Sequence, residues 1–306
     1  MDYYFKHAEM PDYGFSPDAI FPIINGEKGN VSATFNFQAG AKAAGANHLV
    51  SFEAGLRENM VPQDATAVVE SANLAELVVD FESFLLEHQL GGQVQLQGNQ
   101  ATFSLIGKAA HGSTPSKGVN AATFLAKYLH RFEFDQAGAE SFLHLLADHL
   151  HLDFEGVNLG LAHRDPVMQE LTMNVGLVNY QDDKGGSVVA NFRYPKGTDP
   201  EKMAAQTAQR LAGHDLSVEW GEFKEPHYVS VDDPMVKELL AVYEEQTGLE
   251  GHEMTIGGGT YGRLMPRGVA YGALFPDSID TMHQANEFIA IDDLLKATAI
   301  YAEAIY

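Results

Sequence analysis

The 306-residue chain contains no cysteine, and it has only 19 lysine and arginine residues against 42 aspartate and glutamate residues. Without cysteine there is no disulfide bond and no thiolate ligand, so any metal site must use histidine, aspartate and glutamate. The formal net charge of −23 argues against nucleic acid and against an anionic membrane surface as partners. Both of those partners attract clustered lysine and arginine, which this composition does not supply.

Long hydrophobic runs are also missing. No apolar run approaches the roughly 18 residues that a membrane-spanning helix requires, and no stretch has the pattern of a signal peptide. Hydrophobic residues make up 45% of the chain and charged residues 20%, which is ordinary for a globular protein. We therefore expect a cytoplasmic globular protein, and the length suggests about two domains.

Strand-like and helix-like patterns alternate along the chain. Alternating apolar residues predict strands at 31–37, 48–55, 171–180, 186–193 and 216–221, and two further strands within 94–106 that are joined by Gly98-Asn99. The link at 181–185 between two of these strands predicts a second hairpin. Apolar residues at helical spacing, together with capping signals, predict helices at 73–88, 119–132, 137–151, 200–212 and 235–247. Thr198 or Asp199 is expected to cap the helix at 200–212. This alternation indicates an α/β fold in which helices cover a sheet.

Asp18 lies between Pro17 and an apolar run, Phe21 to Ile24. The run predicts a short buried strand, and Asn25-Gly26 predicts the turn that closes it. A carboxylate at the mouth of a buried strand needs a partner, because burying an unpaired charge is costly. From this stretch alone, Asp18 either caps a turn or is held by a partner from elsewhere in the chain.

Small residues flank His111 in the segment Gly107-Lys108-Ala109-Ala110-His111-Gly112-Ser113. They allow another chain segment or a substrate to approach the imidazole closely. The alternative is a histidine that only makes a hydrogen bond at the start of the following helix. Arg193, at the end of a predicted strand, can bind a carboxylate in bidentate fashion or be an ordinary surface arginine.

Three glycines, Gly257 to Gly259, precede Thr260 and Arg263 in a turn that is expected to open into a helix. Backbone amides at a helix amino end can hold a carboxylate. A phosphate-binding loop is a poor interpretation, because no Gly-Lys-Ser/Thr follows.

Five segments resemble the co-catalytic zinc dipeptidases, the dipeptidase V and carnosinase-like branch of the aminoacylase and carboxypeptidase metallopeptidases. They are SPDAIFPIINGEKG at 16–29, GKAAHGSTPSKGVNAATFL at 107–125, NVGLVNYQDDKGGSVVANFRYP at 174–195, IGGGTYGRLMPRGVAYGALFP at 256–276 and DTMHQANEFIAIDDLL at 280–295. They occur in the family's order and extend over essentially the whole chain.

The resemblance implies how the chain is divided. Residues 1–30 and 226–306 would form part of a zinc-peptidase catalytic domain, a sheet with helices on both faces. Residues 31–225 would form an inserted α+β lid domain. Sequence pattern alone does not show that the two ends of the chain belong together.

The resemblance also implies roles for individual residues. Asp18 and His283 would be metal ligands, in an enzyme that holds two zinc ions when complete. A lone histidine such as His283 is more often an ordinary polar residue, and only the MHQANE context favours a ligand. His111 would donate a hydrogen bond to the oxyanion of the tetrahedral intermediate, and Asn59 would contact the substrate.

The substrate itself would be a dipeptide or short peptide. Its carboxylate end would be bound by the glycine-rich loop, through Gly258, Gly259, Thr260 and Arg263, and Arg193 is a further candidate for binding its charge.

One part of the family pattern is not found. The family's first metal-binding His-x-Asp and its catalytic Glu-Glu pair precede the aspartate that Asp18 matches, and the 17 residues before Asp18 contain neither. We therefore expect the carboxy-terminal part of a metal-dependent dipeptidase, with its metal site completed by an amino-terminal segment that is missing or separately encoded. The alternatives are a remnant that binds ligand without catalysis, or an acylamino-acid deacylase or carboxypeptidase on the same fold.

Overall fold

The structure is a computed structural model, and it describes residues 2–41, 45–282 and 286–306. The helices are α1 (Asp2–His7), α2 (Leu74–His88), α3 (Ala121–Leu129), α4 (Ala137–His144), α5 (Pro200–Arg210), α6 (Pro234–Thr247) and α7 (Ile291–Ile305). Short 3-10 turns occur at Pro115–Lys117 and Tyr261–Leu264, and a π-helical turn occurs at Leu145–Leu150.

The strands range in length from two to ten residues. They are β1 (Gly14–Ser16), β2 (Ala19–Ile20), β3 (Ile23–Glu27), β4 (Gly29–Phe37), β5 (Asn47–Ala54), β6 (Asp64–Ser71), β7 (Gly91–Gln97), β8 (Gln100–Ile106), β9 (Arg164–Asp165), β10 (Gln169–Glu170), β11 (Thr172–Gln181), β12 (Gly185–Tyr194), β13 (Ser217–Trp220), β14 (His227–Tyr228), β15 (Glu253–Ile256), β16 (Gly268–Ala270) and β17 (Ala273–Leu274). The predicted α/β fold class is confirmed.

The chain forms two compact units. The first unit contains the described residues up to Gly29, Asp165–Gln169 and Glu225–Tyr306. The second unit contains Asn30–Arg164 and Glu170–Lys224. The short segment 165–169 of the first unit was not anticipated by the sequence pattern.

In the first unit, β3 is the central strand. The sheet has the order β1, β16, β3, β14, and β15 also pairs with β3. All five residues of β3 are buried. Phe21, just before it, packs on the rings of Tyr243, Tyr271 and Phe275 at centroid distances of 5.5, 5.0 and 4.8 Å. This aromatic cluster holds β3 against α6 and the strands that follow it.

The predicted turn at Asn25-Gly26 is wrong, because β3 continues through both residues to Glu27. The side chain of Asn25 donates to Val229 O at 2.9 Å and to Glu253 Oε2 at 3.1 Å, so its polar atoms are satisfied inside the sheet. A Cβ on Gly26 would lie 2.5 Å from Thr255 Oγ1. Glycine here therefore serves close packing between strands and not a turn.

The second unit is built on an eight-stranded sheet of order β13, β4, β12, β11, β5, β6, β8, β7. Alternate residues of β4 are buried, as expected for a strand with one face on a core. The predicted hairpins appear as the antiparallel pairs β7–β8 and β11–β12. Phe81 of α2 packs on Phe103 and Tyr128 at centroid distances of 5.2 and 4.8 Å, which joins helices to sheet.

Asp199 caps α5 by accepting from the N–H groups of Glu201 and Lys202, in agreement with one of the two expected caps.

Two helix predictions need correction at their ends. The helix predicted at 119–132 begins only after Asn120, whose side chain accepts from Ala122 and Thr123, and it ends at Leu129. The helix predicted at 137–151 is α-helical only to His144 and continues as the π-helical turn.

Among the described residues, no helix is both long enough and apolar enough to span a bilayer.

Candidate active site

Asp18 lies in the first unit, between β1 and β2. The backbone on either side is fixed, since Tyr271 N–H donates to Ser16 O at 2.9 Å and Ala19 N–H donates to Gly272 O at 2.6 Å. The residue is exposed. The expectation of a buried charge that needs a partner is therefore wrong. The carboxylate is instead accessible to an ion or a ligand from solvent.

His283, the second expected zinc ligand, lies outside the described residues. Its described neighbours Thr281 and Phe288 are joined by two hydrogen bonds of 3.2 Å each. In the part of the chain that the structure describes, Asp18 does not belong to a group of three ligating side chains. A protein zinc ion takes about four ligands, so Asp18 supplies only part of the shell that a catalytic zinc would need.

In the second unit, the structure brings Asn59 and His111 together. Gly112 N–H donates to Asn59 O at 2.7 Å, and Val61 N–H donates to Ala110 O at 2.9 Å. Met60 and His111 form an isolated antiparallel bridge between these bonds. Two loops that are distant in sequence therefore present their side chains from adjacent backbone positions.

Asn174 holds the first of these loops in place, and the sequence analysis did not identify it. Its buried side chain donates from Nδ2 to Glu58 O at 2.9 Å and to Met60 O at 3.0 Å. Close backbone approach is needed beside it, because a Cβ on Gly176 would lie 2.3 Å from Glu58 O. The signal available in the sequence was a polar residue and a glycine at the start of an apolar strand.

The ring of His111 is exposed, and its Nδ1 faces Ser113. Ser113 N–H donates to Nδ1 at 3.2 Å, and Ser113 Oγ lies 2.7 Å from the same atom. Because Nδ1 accepts this backbone hydrogen bond, the neutral ring carries its proton on Nε2. The neutral imidazole can therefore donate a hydrogen bond through Nε2.

Arg193 lies within β12 and is buried, so the surface-arginine alternative is wrong. Its Nε donates to Asn191 Oδ1 at 2.9 Å. Asn191 in turn donates to Asn30 Oδ1 at 2.8 Å and to Ser32 Oγ at 2.9 Å. This network fixes the guanidinium in orientation.

The glycine-rich loop of the first unit is held by a buried acid. Thr260 donates to Glu27 Oε1 twice, from its N–H at 3.0 Å and from its hydroxyl at 2.6 Å. Arg263 lies with its guanidinium 3.7 Å from Glu27 Oε2, and it donates to Glu225 O. The expected helix after the loop is a single 3-10 turn, which Thr260 caps by accepting from Gly262 N–H.

Glu27 is the most informative residue that sequence reasoning missed. The residue is only 1% exposed. Its Oε2 has no hydrogen-bond partner among the described residues, and the nearest charge described for it is the guanidinium of Arg263 at 3.7 Å. The available signal was a single acid shortly after the apolar run Phe21 to Ile24. Burial of a carboxylate is costly unless it is paired, so its contacts with the loop stabilise both partners.

Residues 6–306 match the peptidase family M20/M25/M40, and this chain belongs to that family. Membership of this metallopeptidase family implies a divalent metal ion in its chemistry. The resemblance to zinc dipeptidases is confirmed at the level of sequence, since the curated relatives are named as dipeptidases.

Beta-Ala-Xaa dipeptidase of Lactobacillus delbrueckii subsp. lactis is 45% identical over 307 residues, covering 100% of this chain and 64% of the relative. Further curated relatives, from Bacillus subtilis at 41% identity and Staphylococcus epidermidis at 39%, are covered to 65% and 66% of their length. The chain therefore spans slightly less than two thirds of these proteins.

Among solved structures, aminoacylhistidine dipeptidase from Vibrio alginolyticus is 14% identical with a TM-score of 0.47, over 96% of this chain and 65% of that chain. The metallo-carboxypeptidase Sso-CP2 from Sulfolobus solfataricus is 17% identical with a TM-score of 0.45, over 99% and 65%.

Proposed function

We propose that this chain is the larger part of a metal-dependent dipeptidase, which hydrolyses the peptide bond of dipeptides and short peptides with a free amino end. The observation that carries the proposal is 45% identity, along the whole chain, to a protein named Beta-Ala-Xaa dipeptidase. Two features support it, each within one unit: the backbone bonds that hold Asn59 next to His111, and the hydrogen bonds to Glu27 that hold the glycine-rich loop. Both sets of residues offer hydrogen-bond donors, which such a reaction requires.

Asp18 and His283 are the metal ligands in this proposal, and the complete enzyme holds two zinc ions. Bound zinc would supply acidity to a water molecule and so provide the nucleophile at neutral pH. The exposed carboxylate of Asp18 suits a ligand that must be reached from solvent. The remaining ligands and the general base are to be sought in the part of the relatives that this chain does not match.

His111 and Asn59 act on the developing charge of the substrate carbonyl. Ser113 N–H donates to Nδ1 of His111, so the neutral ring carries its proton on Nε2, the atom that would donate to the oxyanion. A donor aimed at the oxyanion typically contributes two to three powers of ten in rate, because it is already oriented when charge develops. Asn174 acts as a positioning residue, since it holds the backbone on both sides of Asn59.

The substrate carboxylate is bound by the loop residues Gly258, Gly259, Thr260 and Arg263 and by Arg193. Burial of Arg193 and its hydrogen bond to Asn191 restrict the guanidinium, which lowers the entropic cost of a bidentate contact. The charge of Arg263 is partly offset by Glu27, so Arg263 contributes less to this binding than a lone arginine would.

The proposal is tested by a substrate panel. The chain, supplied with zinc and with the segment of a curated relative that it does not match, is offered a free dipeptide, an N-acyl amino acid and a longer peptide with a free carboxyl end. Preferred cleavage of the dipeptide supports the proposal. Preferred cleavage of the N-acyl amino acid or of the carboxy-terminal residue supports the deacylase or carboxypeptidase alternative, and saturable dipeptide binding without cleavage supports the ligand-binding remnant.

A further inference from the structure

Three histidines of the second unit lie close together, and none of them is among the residues expected to act in hydrolysis. They are His144, at the end of α4, His149, in the π-helical turn, and His214, shortly after α5. Each offers a ring nitrogen, and these atoms all lie within 4.8 Å of one another. The ring centroids of His144 and His214 are 4.7 Å apart, and those of His149 and His214 are 5.2 Å apart.

The π-helical turn explains why His144 and His149 share a face. In an α-helix, residues five apart point in directions that differ by about 140°, since each residue advances about 100°. In a π-helix the hydrogen bond runs to the fifth residue, so residues five apart lie nearly above one another. Such turns are rare and occur frequently at functional sites. Here the turn begins directly after His144.

His214 is brought to this face by the irregular segment that follows α5. Its N–H donates to Leu211 O at 3.1 Å, and its carbonyl accepts from Leu216 N–H at 2.9 Å. The backbone of the third histidine is therefore fixed on both sides, while its ring remains partly exposed.

Asp148 completes the surroundings of His144. Its Oδ2 lies 3.5 Å from His144 Nε2 and 3.1 Å from His130 Nε2, and its Oδ1 lies 3.0 Å from Lys127 Nζ. A carboxylate beside one ring nitrogen fixes the tautomer and frees the other nitrogen for a metal. The Nδ1 of His144 is buried, and it has no hydrogen-bond partner among the described residues. A buried polar atom without a partner calls for an explanation, and a bound ion is one.

We propose that His144, His149 and His214 form a binding site for a divalent transition metal ion of the zinc, nickel or copper class, separate from the zinc ligands Asp18 and His283. Imidazole is the ligand type that these ions favour, and three imidazoles leave one position of a tetrahedral shell for water. Ligand nitrogens around zinc lie about 3.3 Å apart, since each Zn–N bond is about 2.0–2.1 Å. The three ring nitrogens, which lie within 4.8 Å of one another here, would therefore have to approach each other by no more than about 1.5 Å to bind one ion.

The test uses the whole chain in an Asp18→Ala/His283→Ala background, which removes the two proposed catalytic ligands. Zinc alone is titrated by calorimetry. We expect one equivalent to bind in this background, and His149→Ala or His214→Ala to weaken its affinity at least a hundredfold. His252→Ala, which removes an exposed histidine of the first unit, should bind as the background does.

A second readout keeps the test independent of folding defects. In histidine-labelled protein, one equivalent of zinc should shift the imidazole nitrogen resonances of His144, His149 and His214 together and leave those of His88 and His163 in place. Unchanged affinity in the His149 and His214 variants, or resonance shifts at other histidines only, would overturn the assignment. Loss of dipeptidase activity plays no part in either readout, so the outcome is separate from that of the proposed function.

Discussion

Glu27 and Thr260 join the central strand of the first unit to its glycine-rich loop through two hydrogen bonds. One carboxylate oxygen of Glu27 accepts both the N–H and the hydroxyl of Thr260, at 3.0 and 2.6 Å. Because Glu27 is buried, these bonds are shielded from water. A shielded hydrogen bond to a charged group contributes more to stability than one at the surface. The loop that is proposed to bind the substrate carboxylate is thereby fixed before substrate arrives.

Replacing Thr260 tests this link. Thr260→Val keeps the shape of the side chain but removes the hydroxyl, so we expect the free energy of unfolding to fall by about 1.5–3 kcal/mol, as for a hydrogen bond to a charged group. Thr260→Ser retains the hydroxyl and should be much less destabilised. Urea unfolding followed by circular dichroism measures both. Equal losses in the two variants would show that the hydroxyl bond contributes nothing.

Glycine substitutions test the close packing of the Asn59 loop. A Cβ on Gly176 would lie 2.3 Å from Glu58 O, a backbone atom that cannot move alone, so Gly176→Ala should lower stability by about 1–3 kcal/mol. Gly258→Ala is the matched control, because its Cβ would meet only Ile256 Cδ1, at 3.8 Å. Thermal melting should separate the two variants clearly. Similar melting temperatures would contradict the close approach of β11 to the Asn59 loop.

The proposed oxyanion donor is tested by kinetics in the complete enzyme. His111→Ala should lower kcat by about a hundredfold or more with a much smaller change in KM, because the lost bond forms only as charge develops. Ser113→Ala keeps the backbone N–H that binds Nδ1, so it should retain most of the activity. An unchanged kcat in the His111 variant would remove it from the reaction.

The proposed carboxylate contacts are tested by comparing a free dipeptide with its amide. Arg193→Ala and Arg263→Ala should each raise KM for the free dipeptide far more than for the amide, which lacks the charge. Arg193→Lys is a useful control, since it keeps the charge and loses the bidentate geometry. If both substrates suffer equally, neither arginine binds the carboxylate.

A histidine away from the candidate site predicts a pH dependence of stability. His48 lies 2.7 Å from Asp135 Oδ1 and 3.1 Å from Asp182 Oδ2. Burial alone would lower the pKa of His48, but hydrogen bonds and charge from the two carboxylates outweigh it and raise the pKa. The stabilisation is therefore complete below the unfolded-state pKa of about 6.5 and is lost as pH rises through the folded-state value.

We accordingly expect the difference in melting temperature between the wild-type chain and His48→Gln to be larger at pH 6 than at pH 8.5. Because both proteins share every other titrating group, the difference isolates this one. A difference that grows with pH would contradict the assigned direction of the shift.

Local pattern predicted most of the elements of the second unit, because alternation and capping residues act over short distances. The hairpin at 94–106 appears with its turn where the glycine and asparagine indicated it. Prediction failed where distant residues decide the outcome. Asn25-Gly26 stays in a strand because Val229 and Glu253 satisfy the asparagine, and neither is visible from the local sequence.

The same limit applies to the candidate site. Family resemblance identified Asn59 and His111, but it did not show that Asn174 and Gly176 hold the Asn59 loop, because those contacts are side chain to backbone and leave no motif. Burial of Arg193 and exposure of Asp18 depended on packing that composition and periodicity do not encode. Glu27 was missed because a single acid beside an apolar run carries no functional signature until its partners are known.

The central claim is that this chain takes part in metal-dependent hydrolysis of dipeptides. Its most direct test is the release of both amino acids from a dipeptide by the chain combined with the segment of a curated relative that it does not match, before and after metal removal. We expect chelation to abolish release and zinc to restore it. Restoration should fail in Asp18→Ala and succeed in His214→Ala. Release that continues unchanged after chelation, or that is restored equally well in Asp18→Ala, would contradict the account.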